Sequence, residues 1–381
     1  MIPFNIPAIT GKETDYIKEA IALNHLSGDG IFTKKCSDWF ESRLHVKRAL
    51  MTTSCTHSLE MCAILADIGD GDEVIMPSFT FVSTANAFVL RGAKVVFVDI
   101  DPLTMNMDLK EVVRAITSKT KAIIPVHYAG NSCDMDKLMN IAEHYNLLVI
   151  EDAAQAIMSE YHNKPLGTIG HLGCISFHET KNLNCGEGGA LLINDSRFID
   201  RAEIIREKGT NRSKFYRGEV DKYSWVDIGS SYLMSELNAA FLYAQLINAE
   251  TITYNRINNW NLYHELFHEY SLNDYIELPM IPTYNKPNGH MYYIKTTHLV
   301  ERTELIQYLR ANGVYSVFHY VPLHSSPLGR KYGFFSGEDQ YTTRESERIL
   351  RLPLFYGMSA NDVKYISEMV NRYYKFVRST S

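Results

Sequence analysis

DMDKLMNIAEHYNLLVIEDAA, Asp134 to Ala154, joins a helical segment to an apolar run that ends in acid. Met135, Leu138, Met139 and Ala142 recur at helical spacing, and Leu147 to Ile150 is a short apolar run without alternation. Just upstream, KAIIPVHY (Lys121–Tyr128) is a second such run. Strand, helix, strand in that order predicts a βαβ unit and a parallel sheet covered on both faces. The pattern extends outward in both directions. DEVIMPS (Asp72–Ser78), KVVFVDI (Lys94–Ile100), GCISFHE (Gly173–Glu179) and GALLIND (Gly189–Asp195) read as further strands. Ser54–Ile68 and Ser83–Gly92 read as helices between them. The fold class is α/β with a mostly parallel central sheet.

After Asp195 the pattern changes. Ser231 to about His268 predicts one or two long helices. ELPMIP (Glu277–Pro282) and HMYYIKTT (His290–Thr297) read as strands, and ERTELIQYLRANG (Glu301–Gly313) as a helix closed by glycine. A large domain over residues 1–250 and a smaller α+β domain over 251–381 are expected.

A chain of 381 residues, 45% hydrophobic and 22% charged, has the apolar mass for a large core. A net charge of −6 gives no support to a nucleic-acid or membrane-surface partner. No apolar run is long enough to span a bilayer, and MIPFNIPAIT lacks the pattern of a secretory signal. Cys36, Cys55, Cys62, Cys133, Cys174 and Cys185 form no C-x-x-C pair. They read as reduced residues of a cytoplasmic protein, with no metal site.

Ligands of open parallel sheets collect at the carboxyl ends of the strands. Asp152 follows LLVIE, and Lys181 follows CISF in SFHETKNLNCGEGG (Ser176–Gly189). SCTHSLE opens the helix at Ser54 and offers free N–H groups to an anion. Together these describe a pocket for pyridoxal phosphate. Lys181 would bond covalently to the cofactor aldehyde, and Asp152 would keep the pyridine nitrogen protonated. Phe81 would stack on the ring, Gln155 would reach its hydroxyl, and the Ser54–Thr56 turn with Ser176 would hold the phosphate. Gly186, Gly188 and Gly189 would let backbone pass close by or permit positive φ. Taken singly, each has another reading: Lys181 as a surface lysine, Asp152 as a helix cap, Phe81 as core, the serine turn as an N-cap.

The same residues resemble the DegT/DnrJ/EryC1/StrS aminotransferases. SCTHSLE, GDEVIMPSFTFVST, PVHYAG, EDAAQA, SFHETKN, GEGGA, and the stretches GSSYLMSELNAA and HYVPLH carry the resemblance nearly end to end. It implies a PLP-dependent transferase fold of type I, like aspartate aminotransferase. It also implies a homodimer with active sites shared between subunits, and L-glutamate as amino donor. Lys181 and Asp152 are then catalytic, and Cys55, Thr56, Phe81, Gln155, Ser176 and Ser231 bind the cofactor, which passes through pyridoxamine phosphate. Relatives with histidine in place of the lysine are dehydratases; lysine here favours amino transfer. The resemblance extends to the acceptor, dTDP-4-keto-6-deoxy-D-glucose aminated at carbon four to the galacto configuration, as in enterobacterial common antigen synthesis. Amination at carbon three, the opposite configuration at carbon four, UDP or GDP in place of dTDP, and a non-catalytic regulator on the same fold are the alternatives. LSGDG is similar to the family's sugar-contacting segment, which points to Gly28, Asp29 and Gly30. Arg212, Lys214, His319 and Tyr320 are candidates for the nucleotide phosphates, while His324 reads equally well as structural. Many members have Asn-Tyr-Arg where this chain has Ser231-Tyr232-Leu233. Ser231 has a shorter arm than that asparagine, and Leu233 brings no charge.

Overall fold

The computed structural model describes residues 1–272 and 274–380. Among these, eight strands form the large sheet, in the order Arg48–Thr52, Gly189–Ile193, Leu172–Ser176, Leu148–Asp152, Thr120–Ile123, Glu73–Pro77, Lys94–Val98, Gly333–Phe335. All run parallel except Gly189–Ile193, which lies antiparallel between its two neighbours.

Successive residues along these strands bury into opposite layers, because side chains alternate across a strand. Val149 belongs to the core layer that includes residues of the helices Ile31–Leu44, Met135–Tyr145 and Glu236–Leu246, and Ile150 to the layer that includes the helix Cys55–Leu65. This double cover is why the strands read as unbroken apolar runs. The sheet is of the type I kind that the resemblance implies.

Several boundaries differ from expectation for identifiable reasons. The strand expected over Lys121–Tyr128 ends at Ile123, ahead of Pro125, which has no N–H to give. Glu277–Pro282 is not a strand; only Glu277 bridges to Lys295, and Pro279 and Pro282 lack ladder donors. The helices after Ser231 are Glu236–Leu246 and Ala249–Glu269, and the first is capped by Ser235, which accepts from Asn238 N at 3.3 Å. Residues 231–235 instead run extended past the large sheet, where Tyr232 O accepts from Thr53 N at 3.0 Å.

A second core, with Trp260, Tyr263, Phe267, Tyr292, Leu350 and Tyr374, lies in the C-terminal part. It backs an antiparallel sheet in the order Tyr292–Lys295, Ile349–Leu352, Val317–Phe318. The chain crosses between the two sheets more than once. Gly333–Phe335 returns to pair with Lys94–Val98, and Ile2 bridges to Val314. No helix among the described residues is long and apolar enough to cross a membrane.

Candidate active site

Leu148–Asp152 and Leu172–Ser176 are neighbouring parallel strands, so their carboxyl ends open on the same side of the sheet. Asp152 closes the first and is 5% exposed. Its Oδ2 accepts from Thr84 Oγ1 at 2.7 Å and its Oδ1 from Ala154 N at 3.2 Å. Thr84 in turn meets Thr80 at 2.8 Å, which fixes the hydroxyl that orients the carboxylate. After Ser176 the chain folds back on itself. Phe177 N donates to Gly188 O at 2.8 Å and Glu179 N to Gly186 O at 2.9 Å, which leaves Lys181 at the turn. Gly186 has φ of 77°, a left-handed conformation that favours glycine. At Gly189 a Cβ would lie 2.4 Å from Cys55 N and from Ser54 C, so glycine there lets the returning strand press against the helix start.

That helix, Cys55–Leu65, has Ser54 as its N-cap, accepting from His57 N at 3.1 Å. The N–H groups of its first turn have no carbonyl four residues back and point, with the positive dipole end, at the same opening. Thr56 Oγ1 donates to Ser83 Oγ at 2.8 Å, and Ser176 Oγ accepts from His178 N at 3.4 Å. Gln155 accepts from Ala129 N at 2.7 Å and donates to the Tyr320 hydroxyl at 3.1 Å. Phe81 is 56% exposed, its ring 6.2 Å from that of Tyr320.

One cavity of about 450 Å³ collects these groups. Cys55, Thr56, Phe81, Asp152, Gln155, Ser176, Lys181, His319 and Tyr320 all line it. Burial pushes the Lys181 amine below the usual lysine range; Cys55 and Asp152 oppose that shift and Arg351 adds to it. Burial holds the Cys55 thiol well above its ordinary value, so it stays protonated. His290 and His319 are held well below theirs, by burial first and by the cavity's cations second, and are neutral.

The other expected site residues lie outside this cavity. Arg212 pairs with Glu207 at 2.7 Å, and Lys214 with Asp200 at 2.7 Å. Asp29 pairs with Arg206 at 2.6 Å, and Gly30 N donates to Glu236 Oε1 at 3.1 Å. Gly28 packs on Leu233 and Met234, and Ser231 is exposed, bridging to Glu207. Within the chain, then, Gly28, Asp29, Gly30, Arg212 and Ser231 do not join Lys181: each is held on a surface formed by the Ser231–Glu236 segment or the Glu207 turn. His324 is structural, 2.7 Å from Ser78 Oγ and 3.2 Å from Asp339.

The model of the DegT/DnrJ/EryC1/StrS aminotransferase family matches residues 7–371. The chain belongs to this family. It is 31% identical over 380 residues to a GDP-perosamine synthase of Escherichia coli O157:H7, with 98% of each chain covered. A solved DegT/DnrJ/EryC1/StrS aminotransferase from Brucella abortus superposes with TM-score 0.87 at 30% identity over 95% of each chain. The PLP-form of a putative sugar aminotransferase from Streptococcus pneumoniae superposes with TM-score 0.88 at 26% identity, over 97% of this chain and 98% of that one.

Within this aminotransferase the donor set fits a phosphorylated pyridine aldehyde. A helix N-terminus with hydroxyls suits the phosphate, a buried carboxylate suits the ring nitrogen, and an amine of lowered pKa suits the aldehyde. The cradle is tight, since Gly189 leaves no room for a side chain beside Ser54 and Cys55. Sequence reasoning missed two arginines that line the cavity, Arg256 and Arg351. Arg256 is 2% exposed and donates to the carbonyls of Gly289, His290 and Leu354. Arg351 interrupts the apolar run ILRLPLF, a charge inside a strand that was the available signal.

Proposed function

We propose that the chain transfers an amino group from L-glutamate to the 4-keto carbon of dTDP-4-keto-6-deoxy-D-glucose. The products are 2-oxoglutarate and dTDP-4-amino-4,6-dideoxy-D-galactose. The chain is a PLP-dependent sugar aminotransferase, and pyridoxal phosphate is its cofactor. The observation that carries the reading is the convergence of Lys181, Asp152 and the Cys55–Leu65 helix start on one cavity.

Bound there, pyridoxal phosphate supplies an aldehyde that takes up the amino group and a ring that accepts the electron pair left when a proton is removed. The chain's residues do the rest. Lys181 Nζ, its pKa lowered by burial, serves as a neutral base and takes the proton from Cα of L-glutamate. In the second half the same amine delivers a proton to C4 of the sugar. Asp152, oriented by Thr84, holds a proton on the pyridine nitrogen. Cys55, Thr56 and Ser176 hold the phosphate, Phe81 covers one face of the ring, and Gln155 faces its hydroxyl. His319 and Tyr320 face the sugar nucleotide.

The reading includes a homodimer in the cytoplasm. Ser231 and the Gly28–Gly30 turn, which lie away from the chain's own cavity, then face the cavity of the second copy, and Arg212 lies nearby. A GDP-linked sugar is the second reading, favoured by the likeness to a GDP-perosamine synthase at 31% identity.

Product analysis separates the readings. The enzyme is incubated with L-glutamate and either dTDP-4-keto-6-deoxy-D-glucose or its GDP-mannose-derived counterpart, and the product is assigned by NMR. An axial amine at carbon four of the dTDP sugar is expected. An equatorial amine keeps the chemistry and overturns the galacto product; turnover only with the GDP sugar overturns the base assignment.

A further inference from the structure

Arg351 lines the cavity, and among the described residues the fold gives its charge no counterion and no set of strong acceptors. It lies on the strand Ile349–Leu352, opposite Tyr293 on one side and Val317 on the other. Its Nη2 reaches only the Phe318 carbonyl, at a long 3.5 Å, and its buried Nε has no partner. Its guanidinium sits 4.7 Å over the ring of Phe4, which also lines the cavity. Arg302 is comparably unpaired, over the ring of Phe318, but it lies outside the cavity, and three other arginines are better supplied. Arg206 pairs with Asp29, Arg348 with Glu277 and Glu345, and Arg256 spends its donors on three carbonyls. A half-buried guanidinium with a buried, unpartnered Nε is favoured when an anion completes it, and its planar fork matches a carboxylate with two parallel hydrogen bonds.

We propose that Arg351 anchors the α-carboxylate of the amino donor. The inference rests on the amino-transfer reading above and adds to it the residue that recognises the donor. Three anionic groups enter this cavity during such a reaction: the donor's α-carboxylate, its γ-carboxylate two methylenes farther out, and the nucleotide's diphosphate. Placement separates them. The α-carboxylate is bonded to the carbon from which Lys181 takes a proton, so it must lie within a few bonds of that amine. The diphosphate is bonded to carbon one of the sugar, across the ring from the reacting carbon four. Arg351 lines the same cavity as Lys181, His290 and His319, and its charge is felt at all three, which sets it beside the reacting centre. A carboxylate docked on Arg351 offsets that charge just where Lys181 must take up a proton. The histidines nearby are neutral and the Phe4 ring is apolar, so the guanidinium is the group there that selects for negative charge.

The test uses the holoenzyme and the variants Arg351→Met and Arg351→Lys. Calorimetric titration measures 2-oxoglutarate and dTDP separately, and initial rates give KM for L-glutamate. Arg351→Met is expected to weaken 2-oxoglutarate about a hundredfold and to raise KM for L-glutamate comparably, the cost of leaving a docked charge unpaired. dTDP affinity is expected to stay at the wild-type level. Arg351→Lys, which keeps the charge and loses the fork, is expected to fall between, and unchanged dTDP binding in either variant shows an intact fold. Undiminished 2-oxoglutarate affinity in Arg351→Met overturns the anchor. So does a loss of dTDP affinity, alone or with the other, which would give the guanidinium to the diphosphate or to the fold. Wild-type enzyme that releases no 2-oxoglutarate from L-glutamate would instead overturn the amino-transfer reading, and the anchor with it.

Discussion

Lys181 occupies a pocket that disfavours its own charge, and that has a consequence for stability as well as for catalysis. Burial lowers the amine's pKa in the folded chain. A lysine whose folded pKa is depressed binds its proton more weakly in the folded state, so folding is penalised at any pH where the unfolded lysine is charged. The penalty is full below the folded pKa and vanishes above lysine's ordinary value. Lys181→Met is therefore expected to abolish turnover yet stabilise the cofactor-free protein at pH 7, on the order of 1 kcal/mol. Urea unfolding at pH 7 and again above pH 10.5, lysine's ordinary value, checks this, and the gain should shrink at the higher pH. A Lys181→Met protein less stable than wild type at pH 7 would mean the amine is well accommodated as a cation. Thr84 offers a second test one bond further out. Its hydroxyl is the side-chain donor to Asp152 Oδ2. Thr84→Val keeps the volume and removes that bond, and kcat is expected to fall about tenfold, the worth of a hydrogen bond to a charged group. The melting temperature should barely move. Undiminished kcat would show that the carboxylate is oriented by other contacts.

Helix Cys55–Leu65 and the strand Gly189–Ile193 hold the anion end of the site by touching each other. The Ser54–Cys55 backbone leaves no room for a Cβ at Gly189, with contacts of 2.4 Å to backbone atoms that no side-chain rotation relieves. Gly189→Ala must push strand and helix apart, at roughly 1–3 kcal/mol. Pyridoxal phosphate should then bind at least tenfold more weakly, read from the visible absorbance on titration, while a Gly218→Ala control in open space leaves cofactor binding intact. Much of this arrangement was legible beforehand. A buried parallel strand shows itself as an apolar run, and its carboxyl end marks the ligand side, so Asp152 and Lys181 could be paired from their positions alone. Gly333–Phe335 escaped because it is only three residues long, and Arg48–Thr52 because its apolar run is only Ala49-Leu50-Met51 between Arg48 and Thr52. Arg351 escaped because one arginine in a strand reads as an exposed edge residue unless the opposite wall of the cavity is known. Ser231 to Ser235 joins a long proline-free stretch and so reads as helix with it, although Ser235 is the N-cap that ends the extended approach.

Under the proposed homodimer two copies divide the labour of each site, which one chain displays only in outline. Residues 215–228 carry Trp225 at 79% exposed and Tyr223 at 51%, near Ser231 in sequence. Under the homodimer reading these exposed apolar side chains lie against the second copy rather than in water. Under the homodimer reading, Ser231 and the Gly28–Gly30 turn belong to one subunit and serve the cavity of the other. Residues serving opposite subunits can be separated genetically. Lys181→Ala destroys the site in which it sits. Ser231→Trp, if Ser231 reaches across, blocks only the partner's site. A mixed dimer of the two variants then has one site with both lesions and one with neither. Random mixing makes half of all dimers mixed, each with one working site, so about a quarter of wild-type activity should return from two inactive parents. Subunits are exchanged by mild denaturation and refolding, and activity is compared with each parent treated alike. No recovery, with mixed dimers verified by mass or tag, would place Ser231 and Lys181 in the service of the same cavity.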